Sequence, residues 1–487
     1  MKNIFKKAAA LAVAVIMSVS ALTACAQEVT LLDFIEADTG KTDFDGYVCK
    51  LGMYTLSDNT GMLIDENNPF GYKENTELAD AVLARISDIE NDLNCSIELS
   101  LIDVDGDVLA AQLFADSVKQ EVLYSPSHAL TRKYLAAAGY LEKVNNYGDY
   151  IDYTNTEKYG EINIQEMNAV NGDLYAVSPI TWMFKQPRAL ELIVINEDLR
   201  SKYNTPRIQE YIENGVWNWD SFEEFIANSS NKDNEETPIY SLSARGFDVA
   251  KLLAYGNGFV LATETADGYV TDFGADNMME AAQFYYDLRA KYSENFAPDT
   301  GDWVDVNEHF IDLKDSVACL TAASILYNDI VYEIQNYSVA PFPTGPRGEY
   351  GKWPSAIEAT ESFSVFNTGE NPEANFTIID RLCDPLEGFE TEEDRFEYLS
   401  TNVVFTIEDA EYAMNLYKNG MYTHWVFSDS AENGFDDLWR AGIEDGAVDG
   451  DKPRALSVVM EELKNIYPAL IEEFIVPNFP VYEFIPN

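Results

Sequence analysis

The feature that most constrains the fold is a change of hydrophobic period, repeated several times between residues 47 and 139. Tyr47 to Tyr54 is alternating and β-prone, which predicts a strand. Residues 76–94 place Leu78, Val82, Ile86, Ile89 and Leu93 at spacings of 4, 4, 3 and 4, one face of a helix. Ile97, Leu99 and Leu101 alternate with polar residues and predict a second strand. A helix over 108–118, a short strand at 121–124 and a helix over 128–138 follow, the last closed by Gly139. Strand–helix–strand–helix order predicts a parallel sheet covered on both faces, an α/β class.

The middle of the chain has the same character. Residues 192–195 predict a strand. Asp220, with Glu223 three residues on, predicts a helix start with a reciprocal cap. Residues 276–291 predict an amphipathic helix, and 317–320 and 339–340 short strands. Pro341, Pro343, Gly345, Pro346 and Gly348 predict a stiff, turn-rich connection. Another strand and helix are expected within 363–383. The last hundred residues read as mainly helical, with Leu456, Val459, Met460, Leu463 and Tyr467 on one face of the clearest helix.

Charge narrows the function classes. The chain holds 84 acidic and 32 basic side chains in 487 residues, a formal net of −52. A surface this acidic repels phosphate backbones and anionic headgroups, which argues against nucleic-acid binding and a basic peripheral-membrane mode. A chain 46% hydrophobic and 13% aromatic has enough apolar side chains for a large core, so disorder is not the explanation. Its length exceeds one ordinary core and predicts two or more lobes.

The N-terminus reads as an export signal. Lys2, Lys6 and Lys7 precede an apolar run over residues 8–21, broken only by Ser18 and Ser20. That run is shorter than the ~20 residues a span needs. It ends in Leu22-Thr23-Ala24-Cys25, which resembles a bacterial lipobox and implies lipidation at Cys25. Removing the three lysines of this segment leaves 29 basic against 84 acidic groups, a net of −55. Residues 36–45 read as a polar tether. Cys49, Cys95, Cys319 and Cys383 remain; they are widely spaced and read as buried free thiols, with Cys49–Cys95 the one pairing worth testing.

Enzyme signatures are weak. His128, His309 and His424 show no metal spacing, and no GxSxG elbow occurs. Residues 345–352 imitate a phosphate loop, but Pro346 stands at the first glycine and Trp353 at the magnesium-binding hydroxyl. Asp103, Asp105 and Asp107 imitate a calcium loop, but Val108 stands where glycine is needed and Phe114 where the bidentate glutamate belongs. Neither a metal nor a cofactor is expected.

Six segments in order resemble the sugar-binding group of extracellular solute-binding proteins of ABC importers, which includes the maltose-type binders. Residues 121–125 followed by Ala138-Gly139-Tyr140-Leu141-Glu142 resemble the family's strand and "G-L-x-x-L" unit, with Glu121 and Val122 where the family has Asp. Residues 171–179 resemble its "NGKLYGVP" segment, 194–199 its "YNKDLF" strand, and 217–225 its "T-W-D-E-F" helix start. Residues 316–324 resemble its "G-K-A-A-M" strand, with Cys319-Leu320 replacing Ala-Met, and 339–345 resemble "V-x-P-x-P-x-G". The resemblance covers about 300 residues, from the first strand to about residue 385; the last hundred residues are outside it.

The resemblance implies a two-lobe, periplasmic-binding-protein-like (type II) α/β fold with the ligand between the lobes. Residues 1–25 would be the signal and 26–46 the tether. Residues 47–185 with 345–395 would form the N-terminal lobe, and 186–344 with 396–487 the C-terminal lobe. The chain would cross near 183–190, return near 340–350 and cross again near 385–400. It implies a monomeric, non-enzymatic protein, lipid-anchored on the extracellular face of the cytoplasmic membrane. That protein would pass a small solute, foremost an oligosaccharide, to an ABC permease. A peptide or amino acid is the alternative ligand, and a surface glycan-active enzyme or an adhesin or scaffold the alternative function. Sugars present apolar C–H faces and many hydroxyls, so aromatic and planar polar residues in loops after strands are the candidates. These are Ser125, Ser127, Trp182, Trp303, Ser324 and Trp353, with Arg245 and Phe247 at a position where the family sets a polar and an aromatic residue. Trp217 and Trp219 read as packing anchors.

Overall fold

The computed structural model describes residues 42–54, 70, 72, 76–102, 106–125, 135–136, 138–160, 168–170, 173–183, 188–189, 192–203, 205–231, 238–259, 263–265, 268–270, 274–298, 306–321, 333–353, 356–359, 361–418, 421–422 and 455–470. The chain opens with β1 (Tyr47–Tyr54), helix α1 (Glu77–Leu93), β2 (Cys95–Ile102), α2 (Gly106–Phe114) and β3 (Val122–Ser125). α1 starts where the Thr76 hydroxyl accepts the Ala79 N–H, with Glu77 and Asp80 favourably placed in the first turn. It ends at Asn94, in the left-handed region at φ 49°. Its buried face is Leu78, Val82, Ile86, Ile89 and Leu93, the set read from the spacing.

Two short strands follow, β4 (Arg188–Ala189) and β5 (Leu192–Asn196). Then come α3 (Glu197–Lys202), α4 (Ile208–Glu213), α5 (Trp219–Asn228), β6 (Tyr240–Ser243), α6 (Gly246–Gly256) and α7 (Asp276–Tyr292). α5 is capped by Asn218 and Ser221 rather than by Asp220 and Glu223. The Asn218 side chain accepts the backbone N–H groups of Asp220 and Ser221, and the Ser221 hydroxyl accepts the Asn218 N–H. That start buries both tryptophans beside it: Trp217 donates Nε1–H to the Pro341 carbonyl at 2.9 Å, and Trp219 stacks on Phe284 at 4.7 Å.

Four longer-range strands are β7 (Ser316–Thr321), β8 (Tyr337–Pro341), β9 (Ala356–Ala359) and β10 (Ser362–Val365). Further along come helices α8 (Pro372–Leu382), α9 (Glu392–Tyr398) and α10 (Ile407–Lys418), strand β11 (Met421–Tyr422) and helix α11 (Leu456–Leu470).

Two four-stranded sheets carry the two lobes. The first has the order β10-β3-β1-β2 and the second β8-β5-β7-β6. Neither is purely parallel, as the simple alternation predicts. In the first, β1, β2 and β3 are parallel and β10 runs against β3, with Ser362 opposite Ser125. In the second, β5 runs against both β7 and β8, with Leu192 opposite Thr321 and Pro341. The reversed strand in each sheet directly follows a crossing segment. A chain arriving from the other lobe enters at the carboxyl ends of the resident strands and so must run against them.

The first sheet is covered on both faces, by α1 and α8 on one side and α2 on the other. The second is covered on one face by Trp217, Phe222, Phe225, Leu253, Tyr285 and the start of α11, through Leu456 and Met460. Its other face, with Val194, Cys319 and Val339, shares one continuous cluster with the first lobe that includes Leu386, Phe389, Leu399 and Val403. Each such buried aliphatic contributes about 1.5–3 kcal/mol of burial free energy.

Cys49, Cys95, Cys319 and Cys383 are free thiols. The β1–β2 register sets Cys95 opposite Tyr47 and Cys49 opposite Ile97, so these two are diagonal neighbours and not partners. Burial, with Glu90 nearby, pushes the Cys95 thiol up to about 11, and burial raises Cys49 as well.

Candidate ligand-binding cleft between the lobes

A third small sheet, β11-β9-β4, joins the lobes. β4 lies between the first lobe and β5, and β9 lies between the second lobe and β10. They pair antiparallel, with Ile357 opposite Ala189 and Ala359 opposite Arg188, while β11 runs parallel to β9. The return crossing is therefore at 356–359, not within 340–350. The Pro/Gly-rich run stays in the second lobe: Gly345 N–H donates to the Gly256 carbonyl, and Arg347 pairs with Glu280 at 2.7 Å. Gly348 sits so close to α6 that an added Cβ would lie 2.0 Å from the Gly256 carbonyl oxygen, which makes glycine necessary there.

β4 and β9 each lead within a few residues into the reversed strand of a sheet. The carboxyl ends of β3 in one lobe, and of β7 and β8 in the other, therefore adjoin the crossing sheet. Crevices outside strand carboxyl ends are where α/β lobes hold ligands.

On the first-lobe edge, Ser125 ends β3 opposite Ser362, and both are buried. Beside them the Tyr124 hydroxyl donates to Glu361, a buried carboxylate at the hand-over from β9 to β10. The Tyr124 ring packs on Phe363 at 4.7 Å and on Phe70 at 4.8 Å.

On the second-lobe edge, Arg245 follows β6 at the start of α6. Its Nε and Nη2 donate to the two oxygens of Asp248 at 2.7 and 3.1 Å, and Lys251 Nζ lies 3.2 Å from the same carboxylate. Asp248 and Lys251 are almost fully buried, and the Arg245 side chain is 17% exposed. Burial pushes the Asp248 carboxyl up, but Arg245 and Lys251 more than offset it, so its pKa lies below the ordinary carboxylate value.

The candidates read from the sequence are distributed as follows. Ser125 and Arg245 stand on the strand-end edges of the two lobes. Phe247 is the second residue of α6. Trp353 is partly buried, edge-to-face with Tyr350 at 5.2 Å, and packs on the second-lobe core, although the lobe boundaries read from the sequence assign it to the first. Trp182 is fully buried in the first lobe, edge-to-face with Phe70 at 5.1 Å, and presents no ring face to a ligand. Ser127, Trp303, Ser324 and Cys25 lie outside the described residues, as do His128 and His424. His309 is held by Asp315, with Nδ1 2.9 Å from Oδ1.

Two polar groupings at these edges were not singled out from the sequence. The Arg245–Asp248–Lys251 spacing of three and three does mark one helix face and was legible. Glu361 had no such signal, because its place depends on where β9 returns.

No sequence-family profile matches the chain, and no curated protein matches it in sequence. Solved structures match its fold. The GacH receptor of Streptomyces glaucescens, solved unliganded and with acarbose, aligns with a TM-score of 0.61 at 13% identity over 88% of this chain and 99% of its own. An ABC substrate-binding protein from Listeria monocytogenes in complex with cycloalternan gives 0.59 at 13% identity, over 87% and 99%. The sugar-binding protein MalE of Xanthomonas citri gives 0.57 at 13% identity, over 88% and 98%. The chain has the two-lobed α/β fold of the type II periplasmic binding proteins.

Proposed function

We propose that the chain is a solute-binding protein that captures a sugar, foremost an oligosaccharide, between its lobes and delivers it to an ABC importer. The observation that carries this reading is the crossing sheet with strand ends of both lobes beside it, in a fold whose solved relatives are described with acarbose or cycloalternan bound. Ser125 and Arg245 would contribute from opposite lobes, with Ser127, Phe247, Trp303, Ser324 and Trp353 as further contacts. Capture would be a shift from open to closed lobes driven by contacts with both. No covalent chemistry is expected. The signal-like start and Cys25 support a lipid-anchored protein outside the cytoplasmic membrane; stable anchoring needs more than one chain or signal. Among the described residues no helix is long and apolar enough to cross a membrane.

A thermal-shift screen of the chain without residues 1–25, against oligosaccharides, monosaccharides, amino acids and short peptides, tests this. A sugar at 100 times its dissociation constant should add ~2.7 kcal/mol to stability and be recovered unchanged. Arg245→Ala should weaken that sugar's effect. A sugar that is consumed would identify an enzyme, and stabilisation by peptides alone would replace the sugar reading.

A further inference from the structure

The second sheet has an edge strand, β8, and its outward groups are satisfied in an unusual way. Pro341 has no N–H and pairs with Leu192, so residues of its parity on β8 turn their backbone groups away from β5. Val339 shares that parity. Its N–H donates to Asp409 Oδ1 at 3.1 Å, and its carbonyl accepts Gln209 Nε2 at 3.0 Å. The same Gln209 nitrogen lies 3.2 Å from Asp409 Oδ1. Two side chains, one from α4 and one from α10, thus cap an edge that would otherwise be open to another strand.

The cap leaves two acceptors without a donor. Asp409 is fully buried, and among the described residues neither its second oxygen, Oδ2, nor Gln209 Oε1 has a hydrogen-bond partner. Two buried acceptors without a donor are costly, and one of them belongs to a carboxylate that can take up a proton. α10 also leads to the joint between the lobes: β11, which pairs with the crossing strand β9, begins three residues after Lys418.

We propose that Asp409 is a proton-operated latch: a proton on Oδ2 tightens α10 on the edge of the second lobe and, through β11, stiffens the sheet that joins the lobes. The surroundings favour uptake. Burial pushes the Asp409 carboxyl above the ordinary carboxylate value, and the bonds from Thr406, Val339 and Gln209 and the charge of Arg207 offset only part of this. Arg207 is shared with Glu197, 3.9 Å away at the start of α3. Tyr337 on β8 and Glu408 and Tyr412 on α10 bring no positive charge, and burial raises both tyrosines. The π-helical turn Leu399–Val403 carries no titratable side chain, and Glu392, Glu393 and Glu397 of α9 are exposed. With the folded-state pKa above the unfolded one, the folded protein gains protons, and therefore stability, as pH falls through the raised value.

Hydrogen exchange of the full chain between pH 7.5 and 4.5, corrected for intrinsic rates, tests the latch. In the wild type, protection of the Val339 amide and of α10 should rise several-fold on acidification, and the β9–β11 pairs should follow. Asp409→Asn, which carries a permanent donor, should show high protection at pH 7.5 and little pH response. Gln209→Met, which removes one of the two donors to Oδ1, should move the response to higher pH. Parallel wild-type and Asp409→Asn profiles, or an unmoved Gln209→Met profile, would overturn the proposal. A response in α10 without one in β9 and β11 would overturn its coupling to the hinge.

Discussion

Asp248→Ala is expected to cost about 3–5 kcal/mol of folding stability at neutral pH, the range for breaking a buried ion group by removing one member. The carboxylate lies in the first turn of α6, where the helix dipole favours it, and it holds Arg245 through two bonds and Lys251 through a third contact. Removing it leaves two cations close together, one of them buried. The loss should depend on pH with a definite sign. The folded-state pKa of Asp248 is lowered, so the group's stabilisation is present above the unfolded carboxylate value and fades as pH falls through the lowered one. Urea unfolding of both proteins at pH 7 and at successively lower pH measures this. A loss under 1 kcal/mol at pH 7 would mean the triad is not a structural unit. Because Arg245 is the proposed sugar contact on this lobe, the same substitution should also weaken sugar binding.

Trp182→Ala should be comparably destabilising, about 3–5 kcal/mol, through the cavity it leaves. The indole packs edge-to-face on Phe70, in a cluster with Tyr124 and Phe363, and its Nε1–H donates to the Asp384 carbonyl at 3.0 Å. Thr181 donates to the Cys383 carbonyl next door, so this turn ties the segment before the first crossing to the end of α8. Trp182→Phe keeps most of the packing and loses the hydrogen bond, and should cost roughly 1 kcal/mol beyond its smaller volume. For a core role, unfolding free energy falls while the affinity of the surviving folded protein for its best sugar is nearly unchanged. A large loss of affinity with stability intact would return Trp182 to the cleft.

The elements legible in the sequence are those with a clear helical period or a short apolar run. The α1 face follows from periodicity because one side of that helix is buried, and the strands around Leu192, Val317 and Val339 follow from short apolar runs, since every residue of them is buried. Strand direction did not follow. β5 and β10 read as members of parallel sheets, and only the crossing between lobes reverses them. The cap of α5 was misplaced because Asn218, Asp220 and Ser221 all have capping side chains, and the burial of Trp219 decides among them. Ser125 was read from its place after a strand and Arg245 from the family resemblance, and both stand at strand-end edges of the lobes. Trp182 misled because a tryptophan before a crossing suits a core as well as a ligand platform. Glu361 was invisible because its position rests on the pairing of β9 with β4, some 170 residues away in sequence.

A sugar held between the two lobes should close them about the β4–β9 crossing. Small-angle X-ray scattering of the chain without residues 1–25, alone and with a saturating amount of the most stabilising sugar, tests it directly. Closure requires the radius of gyration to fall when the sugar binds, and to stay at the unliganded value for Arg245→Ala at the same sugar concentration. A sugar that stabilises the wild-type protein while leaving its radius of gyration unchanged would contradict capture between the lobes.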